Sequence, residues 1–195
     1  MKKLSSLLII AGVVTILISL FIFILTFYPV LSAEANYKLN QIQPPTKNLE
    51  PKDTDFGIVV PKIFANAKII ANVNPFDQKE YQIALTKGVA HAAGTSFPGQ
   101  LGNVFLFSHS SVNFYEANRY NSIFYLLSKL EKEDEIDLYY KGQKFVYKVI
   151  DKKIVGAEAV SYLSGKAEKK ALTLMTCWPP GTTLKRLLII GEIVI

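Results

Sequence analysis

The residues best suited to chemistry in this chain are its one cysteine and the few side chains that could activate it. Cys177 is the only cysteine among 195 residues, which include two histidines and two arginines. A free thiol has a pKa of about 8.5 and is only a few per cent thiolate at neutral pH, so a nucleophilic cysteine needs a base or a cation beside it. The candidates for that neighbour are His91, His109, Arg119 and Arg186.

The cysteine and two of its candidate neighbours lie at the ends of predicted strands. His109 ends the apolar run that begins at residue 103, and a polar loop follows it, so its ring is expected at the rim of a sheet. Cys177 ends the run ALTLMTC, and the Pro-Pro-Gly sequence at residues 179–181 stops that strand. If the loop folds back as a hairpin, Arg186 returns to the thiol and could donate to an oxyanion.

The remaining histidine and arginine fit structural roles better. His91 lies in the loop-like stretch GVAHAAGTSFPGQ, and Arg119 lies in a polar loop that is predicted to be solvated. Cysteine is among the most buried residue types, so Cys177 by itself would be interpreted as a core residue. Its position at a strand end, in a chain with no second cysteine for a disulfide, favours a nucleophile instead.

The N-terminal segment predicts a membrane helix. Residues 4–33 are uncharged and predominantly apolar, and about 20 such residues span a bilayer. A signal peptide is the alternative, with cleavage after Ala33, but its apolar stretch normally has only about 7 to 15 residues. Lys2 and Lys3 favour a cytoplasmic N-terminus, so the domain that follows is expected outside the cell membrane.

The rest of the chain divides into a linker and one domain. Residues 34–55 are polar and contain Pro44, Pro45 and Pro51, so we predict a stalk with neither a long helix nor a central strand. Residues 56–195 form the predicted folded domain, after an anchor at residues 1–33.

The folded domain is rich in strand-like segments. Three stretches have helical periodicity, at residues 77–92, 121–132 and 160–171. We therefore predict an antiparallel barrel or sandwich with short connecting helices. The six strand-like runs are FGIVVPKI (56–63), NVFLFSH (103–109), EIDLYYKG (135–142), KFVYKVIDKKIV (144–155), ALTLMTC (171–177) and RLLIIGEIVI (186–195).

The charge pattern excludes some partners. The net charge of +6 comes from dispersed lysines. The sequence has no basic run with interleaved aromatic residues, which is the pattern typical of nucleic-acid binding, so nucleic acid is not an expected partner. The acidic run EKEDEID at residues 131–137 could bind calcium, which takes several oxygen ligands. Such a run is more often a solvated helix end, so we expect no metal site and no cofactor, with calcium as the alternative.

Three segments give the chain a family resemblance. TLMTC, followed by PPGTTLKR and preceded by GTSFPGQLGNVFLFSH, resembles the sortases, which are membrane-anchored cysteine transpeptidases of bacterial cell surfaces. The resemblance implies a mainly β fold, a closed eight-stranded barrel behind one N-terminal transmembrane helix. It places the family's nucleophile at Cys177, its histidine at His109, its arginine at Arg186 and a substrate-positioning threonine at Thr176.

The resemblance also implies the reaction and its partners. Such an enzyme cleaves an LPxTG-like sorting signal between Thr and Gly and passes the acyl group to an amine. The partners would be secreted proteins with a C-terminal sorting motif and an acceptor such as a peptidoglycan precursor. Two alternatives stay open: a cysteine peptidase that hydrolyses the same thioacyl intermediate, and a non-catalytic wall-binding module tethered by its helix. The sequence does not select the sortase subtype, the acceptor amine or the oligomeric state.

Overall fold

The structure is a computed structural model, which describes residues 2–42, 49–110, 123–158 and 169–194. The chain forms two compact units, Met1–Pro44 and Pro45–Ile195. The first contains one long helix, and the second contains all the strands.

Helix α1 (Lys2–Ile42) makes up the first unit. Its segment Leu8–Tyr28 has a mean hydropathy of 3.1, so by length and composition it can cross a membrane, as predicted. The helix continues beyond Ala33 into residues for which we expected no long helix. The first helix-breaking residue there is Pro44, and nothing between residues 34 and 42 removes a backbone hydrogen bond.

The second unit is a closed barrel of eight strands, which confirms the predicted fold class. The strand order around the barrel is β1-β2-β3-β4-β7-β8-β6-β5, and β5 closes it by pairing with β1. The prediction of an antiparallel sheet was wrong for two pairs, β2–β3 and β4–β7, which are parallel, and the other six pairs are antiparallel. The strands are β1 Phe56–Val60, β2 Ala65–Val73, β3 Val89–Ala92, β4 Gly102–Phe107, β5 Glu135–Tyr140, β6 Gln143–Gly156, β7 Lys170–Trp178 and β8 Lys185–Ile193.

All six strand-like runs form strands, but β2 and β3 were not predicted. The β2 sequence ANAKIIANV is rich in alanine and asparagine, which are depleted in strands. The β3 sequence VAHA is very short, and it lies in the stretch 77–92 that we predicted to be helical. That stretch splits into helix α2 (Gln78–Leu85) and β3.

The other two segments that were predicted to be helical do not form α-helices in their described parts. Within residues 121–132, the described part forms turns and a 3₁₀ helix, Leu127–Lys129. Phe124, Leu127 and Leu130 are fully buried at intervals of three residues, which matches the three residues per turn of a 3₁₀ helix. Of the third stretch, residues 160–168 lie outside the described residues, and Lys170 begins β7.

The two faces of β7 have different neighbours. Leu172 and Leu174 point one way and are completely buried. Met175 points the other way, into an apolar cluster that β3 and β4 form with α2. Because a helix can pack only on the outside of a closed barrel, Met175 marks the outer face. Alternation along the strand therefore puts Cys177 on the outer face as well.

Candidate active site

Cys177 and Arg186 are directly opposite each other on adjacent strands. The antiparallel register of β7 and β8 pairs Cys177 with Arg186, and Thr176 with Leu187. Directly opposite residues share a face of the sheet, with Cβ atoms about 4.5 to 5.5 Å apart. Cys177 is a free, half-buried thiol. The register therefore places the thiol and the base of the guanidinium side chain on the same outer face.

The tight turn between these strands follows from the sequence. The backbone N–H of Thr182 donates to the carbonyl of Pro179 at 3.0 Å. Gly181 has a φ of +83°, the left-handed conformation that the third position of a type II turn requires, and Pro180 occupies the favoured second position. This turn folds the chain back as the sequence predicted, and it brings Arg186 to the level of Cys177.

His109 reaches the same level from the other neighbour of β7. The parallel register pairs Phe107 with Met175, and the N–H of Ser108 donates to the carbonyl of Met175 at 3.2 Å. His109 is two residues beyond Phe107, just as Cys177 is two residues beyond Met175. If the register continues for two more residues, His109 lies level with Cys177 and Arg186, at the same end of the three adjacent strands.

Thr176 faces the interior and is bonded to the strand that carries His109. Its side chain is buried, and its hydroxyl donates to the carbonyl of Ser108 at 2.9 Å. No observation tests the substrate-binding role that the family resemblance implied for Thr176. What the structure records is a contact with the residue that precedes His109.

The guanidinium of Arg186 is fixed by its own loop. Its Nη1 donates to the carbonyls of Thr183 and Lys185, both at 3.0 Å. A guanidinium has five N–H donors in a rigid fork, so Nη2 and Nε provide three more. These bonds tie one end of the guanidinium to the loop, and the donors on Nη2 and Nε are the part of the fork that could meet a developing negative charge.

Comparison with known proteins gives the family of this barrel. The family model described as "Sortase domain" matches residues 58–194. The chain belongs to the sortase family. A curated sortase, Sortase D from Bacillus subtilis (strain 168), is 29% identical over 136 residues. That match covers 68% of this chain and 60% of the relative, so the chain spans less than two thirds of the length of that sortase.

Solved sortase structures share the fold. Sortase C-1 from Actinomyces oris superimposes with a TM-score of 0.62 at 25% identity, covering 85% of this chain and 99% of that one. A lid mutant of sortase A from Corynebacterium diphtheriae has a TM-score of 0.61 at 24% identity, with coverage of 81% and 77%. The eight-stranded barrel is therefore the sortase barrel.

His91 belongs to the core of this sortase. It is fully buried on β3 opposite Leu106, on the inner face, whereas Cys177 is on the outer face. Its Nδ1 accepts from the backbone N–H of Asn72 at 3.3 Å, so the ring proton is on Nε2, which lies 3.1 Å from the carbonyl of Ser96. Burial lowers the pKa of His91 below its usual 6.5. This neutral histidine has a structural role, as its sequence context favoured.

The acidic run is neutralised by lysines. Lys62 bonds Glu131 at 3.0 Å and Asp134 at 2.8 Å, and Lys144 bonds Asp137 at 2.8 Å. Within the described ranges, no group of three or more His, Cys, Asp or Glu side chains could hold a metal ion. The absence of a cofactor stays a prediction. Arg119 lies outside the described residues.

Sequence reasoning missed the backbone groups that position the site. The carbonyl of Ser108 accepts from Thr176, and the carbonyl of Thr183 accepts from Arg186. A main-chain carbonyl carries no sequence signal, because every residue has one. Only the pairing of β4 with β7 could have pointed to Ser108, and a parallel pair of strands that are distant in the chain has no local signature.

Proposed function

We propose that this sortase is a cysteine transpeptidase that cleaves an LPxTG-like sorting signal and transfers the acyl group to an amine. The observation that carries the proposal is the strand register, which pairs Cys177 with Arg186 and pairs Phe107 with Met175, two residues before His109 and Cys177. Membership of the sortase family supports a transpeptidase of sorting signals in general. The motif, the acceptor and the residue roles are our proposal.

The first half of the reaction forms a thioester. The thiolate of Cys177 attacks the carbonyl carbon of the motif threonine, and the carbonyl electron pair moves to the oxygen. Arg186 donates to that oxyanion, a role in which losing one donor costs about 2.7 to 4 kcal/mol in other enzymes. When the carbonyl re-forms, the bond to glycine breaks, and imidazolium His109 gives its proton to the departing amine.

The second half reverses the proton flow. The nitrogen of an incoming amine attacks the thioester carbon, and neutral His109 takes a proton from it. Collapse of this second tetrahedral intermediate breaks the carbon–sulfur bond and regenerates the thiolate of Cys177. Water in place of the amine would give hydrolysis by the same steps.

The apolar helix α1 supports a location at the cell membrane. We propose that its N-terminus is cytoplasmic, next to Lys2 and Lys3, and that the barrel is extracytoplasmic. There the enzyme would meet secreted proteins that carry a C-terminal sorting motif. The amine would come from a peptidoglycan precursor or from another protein.

Intact-mass spectrometry of the full chain in detergent tests this function. With LPxTG-like peptides, we expect an adduct equal to the fragment that ends in threonine minus one water. Cys177→Ala is the matched control and should form no adduct. Addition of triglycine or a diaminopimelate-containing amine should convert the adduct into ligated peptide.

Two results would contradict the proposal. An adduct that water removes at the same rate with and without amines would indicate a peptidase. A chain that forms no adduct with any peptide, and whose native Cys177 resists iodoacetamide, would indicate a non-catalytic module.

A further inference from the structure

We propose that Thr176 is a positioning residue, which holds His109 in register with Cys177, and not a contact for the substrate. This inference rests on the proposed function, because the register matters to catalysis only if both residues act in it. It concerns how the site is built, and it can fail while the function stands.

The hydrogen bond of Thr176 joins the two catalytic strands at their ends. Its hydroxyl donates to the carbonyl of Ser108 at 2.9 Å, and that carbonyl belongs to the peptide unit that leads into His109. Residue-by-residue pairing of β4 with β7 ends at Phe107. The side chain of Thr176 thus extends the link between the strands beyond the last paired residues. It does so immediately before the nucleophile in the sequence.

The orientation of Thr176 argues against direct substrate contact. Only 3% of the residue is exposed, and alternation along β7 points it away from the face that carries Cys177. A hydroxyl has one proton to donate, and this one is donated to Ser108. A peptide bound to the outer face could contact the thiol of Cys177, whereas the side chain of Thr176 lies on the opposite face of the sheet.

A second threonine on the same strand provides a matched control. Thr173 is also buried, and its hydroxyl donates to the side-chain oxygen of Asn103 at 3.1 Å. Both bonds join β7 to β4, but the bond of Thr173 ends on Asn103, near the start of β4 and six residues before His109. Loss of either bond removes a similar buried interaction, and only loss of the Thr176 bond frees the peptide next to His109.

Three variants of the full chain test the inference: Thr176→Val, Thr176→Ser and Thr173→Val. We expect Thr176→Val to lower kcat about tenfold to a hundredfold, the scale of small misplacements of catalytic groups, while KM changes less than twofold. Thr176→Ser keeps the hydroxyl and should retain most of the activity. Thr173→Val should lower the melting temperature by about as much as Thr176→Val without lowering kcat.

A second measurement needs no substrate. The pH dependence of iodoacetamide alkylation at Cys177 reports how the thiol is coupled to His109. We expect the profile of Thr176→Val to move toward that of His109→Ala, and the profile of Thr173→Val to match the wild type.

The outcomes separate this inference from the proposed function. A raised KM with unchanged kcat in Thr176→Val would make Thr176 a substrate contact and overturn the inference. Wild-type kinetics, or equal losses of kcat in both valine variants, would overturn it as well. In these cases His109→Ala still changes the alkylation profile, and the function stands. If His109→Ala leaves the profile unchanged, the catalytic pair itself is wrong.

Discussion

The two histidines of this sortase differ in what their surroundings allow their rings to do. His109 is half-buried, two residues beyond the end of β4. His91 is enclosed, and its Nδ1 accepts from the N–H of Asn72 at 3.3 Å, where β2 has a bulge and Asn72 has a φ of +56°. His109 is partly open to solvent, whereas burial lowers the pKa of His91 and favours its neutral form.

The buried ring of His91 predicts acid sensitivity. Its folded-state pKa is lowered, so as the pH falls below about 6.5 the unfolded chain binds more protons and the free energy of unfolding decreases. We expect the melting temperature to fall more steeply between pH 7.5 and 5.5 in the wild type than in His91→Asn. The asparagine amide can accept from Asn72 and does not titrate in this range. Parallel pH profiles would contradict this role.

At the scale of single residues, the sequence indicated which side chains are candidates for the site, but it did not indicate the contacts that those side chains make. Strand ends and a Pro-Pro-Gly turn single out His109, Cys177 and Arg186 as candidates, because those signals are local, and their catalytic roles stay predictions. The bond from Thr176 to Ser108 depends on the neighbour that β7 acquires in the folded barrel. No pattern within β7 encodes that neighbour.

The loop between β3 and β4, residues 93–101, packs against the interior of the barrel. The ring of Phe97 stacks on Tyr140 with centroids 5.1 Å apart and lies 4.6 Å from the ring of His91. Phe56 of β1 lies next to Phe97, with centroids 5.7 Å apart. This loop therefore joins three strands through aromatic contacts, and it leads directly into the strand that precedes His109.

Two glycines in this loop predict a measurable difference. Both have a left-handed φ, +81° at Gly94 and +85° at Gly99, but a Cβ at Gly99 would lie 2.6 Å from the Phe145 ring, whereas Gly94 has open space. We expect Gly94→Ala to cost about 1 to 2 kcal/mol for the backbone conformation. Gly99→Ala should cost about 1 to 3 kcal/mol more through overpacking.

Urea unfolding followed by Trp178 fluorescence can measure both glycine variants. Trp178 is the only tryptophan in the chain, and it ends β7. Equal losses at the two positions would mean that the Phe145 ring simply moves aside.

At the scale of elements, the sequence predicted those strands whose residues have a high intrinsic preference for β structure. The six strongly β-forming runs were recognised, but β2 and β3 become strands through their neighbours. Their pairing is parallel, with Ile69 opposite Val89 and Ile70 opposite Ala90. Alanine-rich segments of this kind are stabilised by burial in the closed barrel, which a local pattern does not contain.

The whole molecule combines a sortase barrel with an apolar helix. The two compact units divide at Pro44 and Pro45, in a stretch with three prolines between residues 44 and 51. A tether of this kind would hold enzyme and substrate in the same membrane and raise their effective concentration without any new contact.

Removal of residues 1–44 tests the contribution of the anchor. We expect the truncated protein to process a soluble LPxTG-like peptide at the rate of the full chain. On a substrate that keeps its own membrane tail, reconstituted in vesicles, it should be slower by about a hundredfold, the lower end of tethering effects. Equal rates on the vesicle substrate would show that the helix has no kinetic role. A loss of peptide cleavage would make residues 1–44 part of the folded enzyme.

The bond from Thr176 to Ser108 spans 68 residues of chain, so it forms only after distant segments have paired. Parallel pairing at such a distance is slow, because loop closure must precede any favourable contact. An incompletely folded polypeptide would therefore carry its sulfhydryl as an ordinary thiol. Any activation of the sulfur by neighbouring side chains would arrive only with the completed barrel, as the last stage of maturation.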